Sequence, residues 1–155
     1  MEKKPAVPAT ELLEKECWSL LREASVGRLA VWHGDGPDIF PVNYTTDHGT
    51  VVFRTGSGTK LEAALGEFPV AMEADGINRE SGEAWSVVLR GRAELLTKTD
   101  DVVNTFSLPL FPLQEGKKDH FVRVVPDSIS GRRFTVAAPS TWWTPTESGK
   151  HAADE

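Results

Sequence analysis

Two hydrophobic periods divide this chain. Leu12, Leu13, Cys17, Leu20 and Leu21 recur at helical spacing, with Trp18 at the margin of the stripe, and predict one amphipathic helix. Thr10 stands where an N-cap belongs and Glu11 falls in the first turn. From Val26 the period shortens to that of a strand. Val26–Trp32 and Asp38–Thr46 read as strands around the turn cluster His33-Gly34-Asp35-Gly36, and Thr50–Thr55 follows a second turn at Asp47-His48-Gly49. Three consecutive strands on tight turns make an antiparallel meander, not a βαβ unit. Pro41 interrupts the second strand and can donate no ladder bond, so it marks an edge, a bulge or a place where a ligand takes over the pairing.

The alternation then resumes in longer pieces. Thr59–Leu65 carries Leu61, Ala64 and Leu65 at helical spacing, and Gly66 is placed to stop that helix. Pro69–Asp75 is a fourth strand, and Asn78–Gly82 a polar turn. Trp85–Leu95 is a long fifth strand with Arg90, Arg92 and Glu94 on one face. Thr99 or Asp100 caps a weak helix through Phe106, and Leu108–Leu113 is a loop with two prolines. Phe121–Pro126 is the sixth strand, and Ser128–Phe134 reads as a turn and a strand exit. The expected organisation is a loose leader over residues 1–9, one domain over 10–134, and a tail over 135–155 that is polar apart from Trp142 and Trp143. The class is mainly β, a small antiparallel barrel or sandwich.

Composition narrows the function. A net charge of -6 over 155 residues argues against a generic nucleic-acid or anionic-membrane surface. No apolar run reaches membrane-spanning length, and the charged start, with no apolar core behind it, predicts a cytoplasmic protein. Cys17 is the one cysteine and sits on the apolar stripe, so it reads as a small buried hydrophobe, not a nucleophile. His33, His48, His120 and His151 are scattered without metal-ligand spacing, and no metal site is expected.

The chemistry concentrates in Phe53-Arg54-Thr55-Gly56-Ser57-Gly58-Thr59-Lys60-Leu61. A strand ends in Arg, turns through Gly-Ser-Gly and opens a helix at Thr-Lys. Glycine lets main-chain amides approach an anion, helix-start N–H groups favour negative charge, and Arg54 and Lys60 add fixed cations. Neither a G-x-x-x-x-G-K-[ST] loop nor a G-x-G-x-x-G fingerprint can be written here. The stretch reads either as a phosphate seat or as a plain strand-to-helix connector.

Four segments together resemble the pyridoxamine 5′-phosphate oxidase-like flavin-binding split barrels. They are the leading helix running into Val26-Gly27-Arg28-Leu29-Ala30, then Ile39-Phe40-Pro41-Val42-Asn43-Tyr44, then Phe53-Arg54-Thr55 through Thr59-Lys60-Leu61, and Trp85 through Ala93. The resemblance implies a six-stranded antiparallel split barrel that works as a homodimer with its cofactor sites at the interface. It implies FMN as cofactor, or in some branches a deazaflavin. It also implies that Arg54, Thr59 and Lys60 hold the phosphate, that Thr55 lies near the ribityl chain or ring, and that Pro41, Val42 and Asn43 face the ring. Trp85 and Ser86 are the remaining flavin contacts it suggests. The tail Thr141-Trp142-Trp143-Thr144-Pro145 does not match the basic segment with which the true oxidase grips pyridoxamine phosphate. The likeness is therefore to shorter relatives that bind FMN, or in some branches a deazaflavin, and some of which reduce nitroaromatic compounds.

The expected function is an FMN-dependent oxidoreductase that moves a hydride to or from a small molecule. The alternatives are a deazaflavin-dependent reductase, or a non-catalytic dimer that carries a flavin, deazaflavin or haem-type ligand. Flavin hydride transfer requires no protein acid or base, and no catalytic residue is assigned. Tyr44 reads as core or interface, and His48 as an exposed turn residue. Arg28, Arg90 and Arg92 read as outward-facing barrel residues in cross-strand pairs.

Overall fold

The computed structural model describes residues 9–96 and 120–136. Its elements are β1 (Thr10–Glu11), α1 (Glu14–Glu23), β2 (Val26–His33), β3 (Gly36–Asp47), β4 (Thr50–Thr55), α2 (Thr59–Ala64), β5 (Val70–Asn78), β6 (Glu83–Leu95) and β7 (His120–Thr135). Every pairing is antiparallel. The order β7-β4-β3-β2-β5-β6 closes on itself because β6 also pairs with β7. The result is the expected six-stranded barrel, with the two-residue β1 added at the outer edge of β7.

Strand alternation fills the barrel. Leu29, Val31, Val42, Tyr44, Val51, Phe53, Met72, Val87, Leu89, Val122 and Val124 turn inward and are buried. Each such side chain contributes roughly 1.5–3 kcal/mol by leaving water. Helix α1 adds Cys17, Leu20 and Leu21 to the same core, and burial pushes the Cys17 thiol above its ordinary range. Tyr44 is 2% exposed and donates its hydroxyl to the Leu21 carbonyl at 2.8 Å. Desolvation pushes its phenol well up, so Tyr44 is a core residue tying α1 to β3.

The turns follow their chemistry. His48 and Gly49 both take positive φ, 48° and 74°, as a tight two-residue hairpin loop requires. His48 is exposed there, and its Nδ1 lies 2.7 Å from the Asp47 carboxylate, which accepts. Arg123 of β7 donates to Asp47 at 2.9 Å and to Thr50 at 2.6 Å. That guanidinium holds the Asp47 carboxyl below its usual range. On the opposite wall Arg28 donates to Glu73, its direct cross-strand partner, at 2.7 Å, and pairs with Asp75 at 2.9 Å. Burial, then the neighbouring Asp75, hold Glu73 above the ordinary carboxylate range despite Arg28.

Two sequence expectations are corrected. Thr10 does not cap α1 but pairs with Arg133 in β1. The helix begins at Glu14 behind Leu13, whose amide donates to the Glu16 carboxylate at 3.2 Å. Pro126 does not end the sixth strand, because β7 runs through it to Thr135. The ladder shifts register between Arg90 and Gly91, with Gly91 facing Pro126 and Arg90 facing Ser128. Asp127 is the extra residue of a β-bulge, the place in a sheet where a proline is tolerated. The expected helix at 99–106, the loop at 108–113 and Trp142–Trp143 lie outside the described residues. Among the described residues no helix is long and apolar enough to cross a membrane.

Candidate functional site

The barrel parts between β3 and β4. These strands pair from Asp47↔Thr50 to Tyr44↔Phe53 and no further. Beyond that point β4 stays with β7, where Arg54 faces Phe121 and Thr55 faces His120. The Gly36–Val42 stretch of β3 keeps β2 as its one strand neighbour among the described residues. Pro41 sits on this stretch opposite Arg28, an edge position as its missing N–H demands.

Alternation decides which side chains face outward here. Val42 and Tyr44 are buried in the core, so Pro41 and Asn43 point to the outer face. On β4, Val51 and Phe53 point inward. Val52 instead packs with Phe121 and Leu96 in a separate outer cluster, and Arg54 shares that face, its guanidinium carbon 5.5 Å from the Phe121 ring centre. Pro41, Asn43 and Arg54 therefore line the outer side of the parting. Val42 and Thr55 do not present side chains to it, being 3% and 4% exposed. A ligand along this edge meets Val42 through its main chain, while the Thr55 hydroxyl donates to the Gly56 carbonyl at 3.3 Å.

The turn after β4 carries the second half of the site. Gly58 has φ 139° and is the N-cap of α2, a conformation that glycine adopts at little cost. Ser57, Gly58 and Thr59 are exposed. Lys60 reaches back until its Nζ is 5.3 Å from the ring of Phe40, the residue before Pro41. Cations thus flank the Gly-Ser-Gly turn on both sides, and the turn lies beside the open stretch of β3. Helix α2 has only six residues, so its aligned peptide dipoles add little and the side chains carry the charge. One residue that the sequence reading did not assign to the site joins the turn. His120, which opens β7, has its Nε2 2.9 Å from Ser57 Oγ. The two are 63 residues apart in sequence, and only the β4–β7 register brings them together.

Trp85 and Ser86 lie elsewhere. Arg54 pairs near the start of β7 with Phe121, whereas Ser86 and Trp85 pair near its end with Arg132 and Arg133. Trp85 covers Gly76, where a Cβ would meet the indole Nε1 at 2.6 Å. It lines a groove of about 460 Å³ with Leu20, Ala24, Ile77 and Arg133. Within one chain this groove and the Arg54–Lys60 turn are separate features.

Residues 14–133 match the family described as Pyridoxamine 5′-phosphate oxidase. The chain belongs to that family. Among the curated relatives, the uncharacterised protein Rv0080 of Mycobacterium tuberculosis is 30% identical over 131 residues, covering 81% of this chain and 86% of its own. The solved FAD binding protein from Mycobacterium smegmatis is 36% identical with a TM-score of 0.70, and the match covers 81% of this chain and 98% of that one. The FAD and haem binding protein of the same organism is 17% identical with a TM-score of 0.57, covering 92% of this chain and 79% of that one. At that identity the likeness shows the fold alone. The pyridoxamine 5′-phosphate oxidase-like split barrel expected from four short segments is the fold this chain has.

Proposed function

We propose that this family member binds a flavin at the parting between β3 and β4 and works as a flavin-dependent oxidoreductase on a small molecule. The observation that carries the reading is the pair of cations, Arg54 and Lys60, on either side of a glycine-rich turn that adjoins an open strand edge. The residues fit the group. The phosphate would lie on the turn, held by Arg54, Thr59 and Lys60, each charge-assisted bond worth roughly 1.5–3 kcal/mol. The ring would lie along the outer side of Pro41 and Asn43 and the main chain of Val42. When bound, a flavin supplies hydride transfer, and the chain contributes binding, orientation and exclusion of water. Tyr44 and His48 take no part, the first being committed to Leu21 and the second standing in solvent.

FMN is the smallest ligand that meets both halves of the site. The FAD binding relative at 36% identity supports FAD as the second reading, with the adenylate beyond the turn. The working unit is a homodimer in this reading, because only an assembly can bring Trp85 and Ser86 of the partner subunit toward the ring.

Titration of the purified chain with FMN, FAD and a deazaflavin, followed by fluorescence, tests binding and ranks the three. NAD(P)H reduction of the loaded protein, then reoxidation by an acceptor such as a nitroaromatic, separates an enzyme from a carrier. Tight flavin binding with turnover supports the reading. Binding without turnover makes the protein a carrier, and no binding by any of the three overturns the site.

A further inference from the structure

We propose that His120 is a positioning residue for the ligand phosphate, acting through Ser57. The inference rests on the flavin-phosphate reading and goes beyond it, because the sequence reading gave Ser57 no role of its own in the seat and did not bring His120 to it. Their geometry is a single hydrogen bond, Ser57 Oγ to His120 Nε2 at 2.9 Å, at the tip of the turn between Arg54 and Lys60.

The consequence follows from counting hydrogens. A serine hydroxyl has one hydrogen to donate and two lone pairs to accept with. If His120 Nε2 carries a proton, it donates to Ser57, and the hydroxyl hydrogen is left for a phosphate oxygen. If Nε2 is bare, the hydroxyl spends its one hydrogen on the imidazole and turns only lone pairs toward the anion. The imidazolium carries a proton on both ring nitrogens, so it always donates to Ser57. It also brings a third positive charge to the turn. His120 therefore sets whether Ser57 is a donor or an acceptor toward the ligand.

The surroundings make this coupling depend on the ligand. The titratable and charged groups on the elements around His120, among the described residues, are Arg54 on β4, Lys60 on α2, and Arg123 and Glu94 further along the β6–β7 ladder. Thr55, its direct cross-strand partner, is uncharged, and so are Leu95 and Leu96 at the end of β6. The groups on the turn's flanks are both cations, and a phosphate seated between them would face the imidazolium as well. Phosphate binding and proton uptake should then favour each other, as linkage requires.

The test is calorimetric titration of the full chain with FAD and with riboflavin. It is run at about pH 5.5 and about pH 8, either side of the window in which imidazoles change charge. FAD is the probe because its diphosphate does not itself titrate there. In the unaltered protein FAD affinity should fall about tenfold from the lower pH to the higher, the worth of one hydrogen bond to a charged group. Riboflavin affinity should stay level. His120→Gln presents an amide N–H that donates at every pH, and it should keep the tight FAD affinity at both. Ser57→Ala should bind FAD weakly at both. Persistence of the full pH dependence in either variant overturns the role given to His120. FAD binding no tighter than riboflavin at either pH overturns the phosphate seat itself, a separate failure.

Discussion

Two seams of the same barrel behave in opposite ways. The β6–β7 seam is zipped along the whole of β6, from Glu83↔Thr135 to Leu95↔Val122, and absorbs its one irregularity in a bulge. The β3–β4 seam closes only next to its hairpin and then opens. At the closed seam Gly91 lies so near β7 that a Cβ would meet the Val125 carbonyl oxygen at 2.0 Å and Pro126 Cα at 2.7 Å. At the open seam a Cβ on Gly58 would meet nothing within 4 Å. The closed seam pairs its main-chain groups in a continuous ladder. The open one has no further strand across from it among the described residues, and in the proposed reading its main-chain groups and outward side chains meet a flat anionic ligand. On the proposed reading stability and ligand binding fall to different walls, and substitutions should separate them.

The largest expected effect is at the closed seam. Gly91→Ala forces a methyl into main-chain atoms that cannot yield cheaply. It should cost about 3 kcal/mol of unfolding free energy, read by urea denaturation. An unchanged midpoint would remove the distinction between the seams. Next comes the open seam, where Lys60→Ala should weaken FMN binding by ten- to a hundredfold, about 1.5–3 kcal/mol. The same variant should leave stability within about 0.5 kcal/mol of the parent. A comparable loss of stability would make Lys60 a structural residue instead.

A smaller effect tests the one place where the β3–β4 seam is closed. Arg123 anchors the hairpin through Asp47 and Thr50. Arg123→Met should cost about 1–2 kcal/mol at neutral pH. Because Arg123 depresses the folded-state pKa of Asp47, that contribution is present above the ordinary carboxylate range. It fades as pH falls through the lower folded value. The gap between parent and variant should therefore narrow below about pH 4, and a constant gap would contradict the pairing. The smallest change belongs to Gly58→Ala, where only the backbone angle objects. Stability should fall by about 1 kcal/mol, with a few-fold loss of FMN affinity as the turn reshapes.

Much of the barrel was legible because its signals are local. Thr50–Thr55 is bounded in the structure as its sequence indicates, and the turns at His33–Gly36 and Asp47–Gly49 fall where glycine and polar residues place them. Pro126 misled because a proline reads as a stop, and the bulge that accommodates it depends on Gly91, far away in sequence. Thr10 misled for a similar reason, since its partner Arg133 is at the other end of the domain. In the site, Arg54 and Lys60 were visible as charges beside glycines, and the structure brings them to the edge that carries Pro41 and Asn43. Val42 and Thr55 were named from the resemblance, and strand alternation buries their side chains, a matter of face that the motif alone does not carry. His120 carried no local signal, because its meeting with Ser57 is a matter of register between β4 and β7.

The most direct measurement compares FMN with riboflavin on the parent and on Lys60→Ala. The two ligands differ only in the phosphate, so their affinity difference isolates the turn from the ring. The parent should bind FMN at least about tenfold more tightly than riboflavin, and Lys60→Ala should erase most of that difference while leaving riboflavin unchanged. Equal affinities in the parent, or a phosphate advantage that survives the substitution, would contradict a phosphate seat at the Arg54–Lys60 turn.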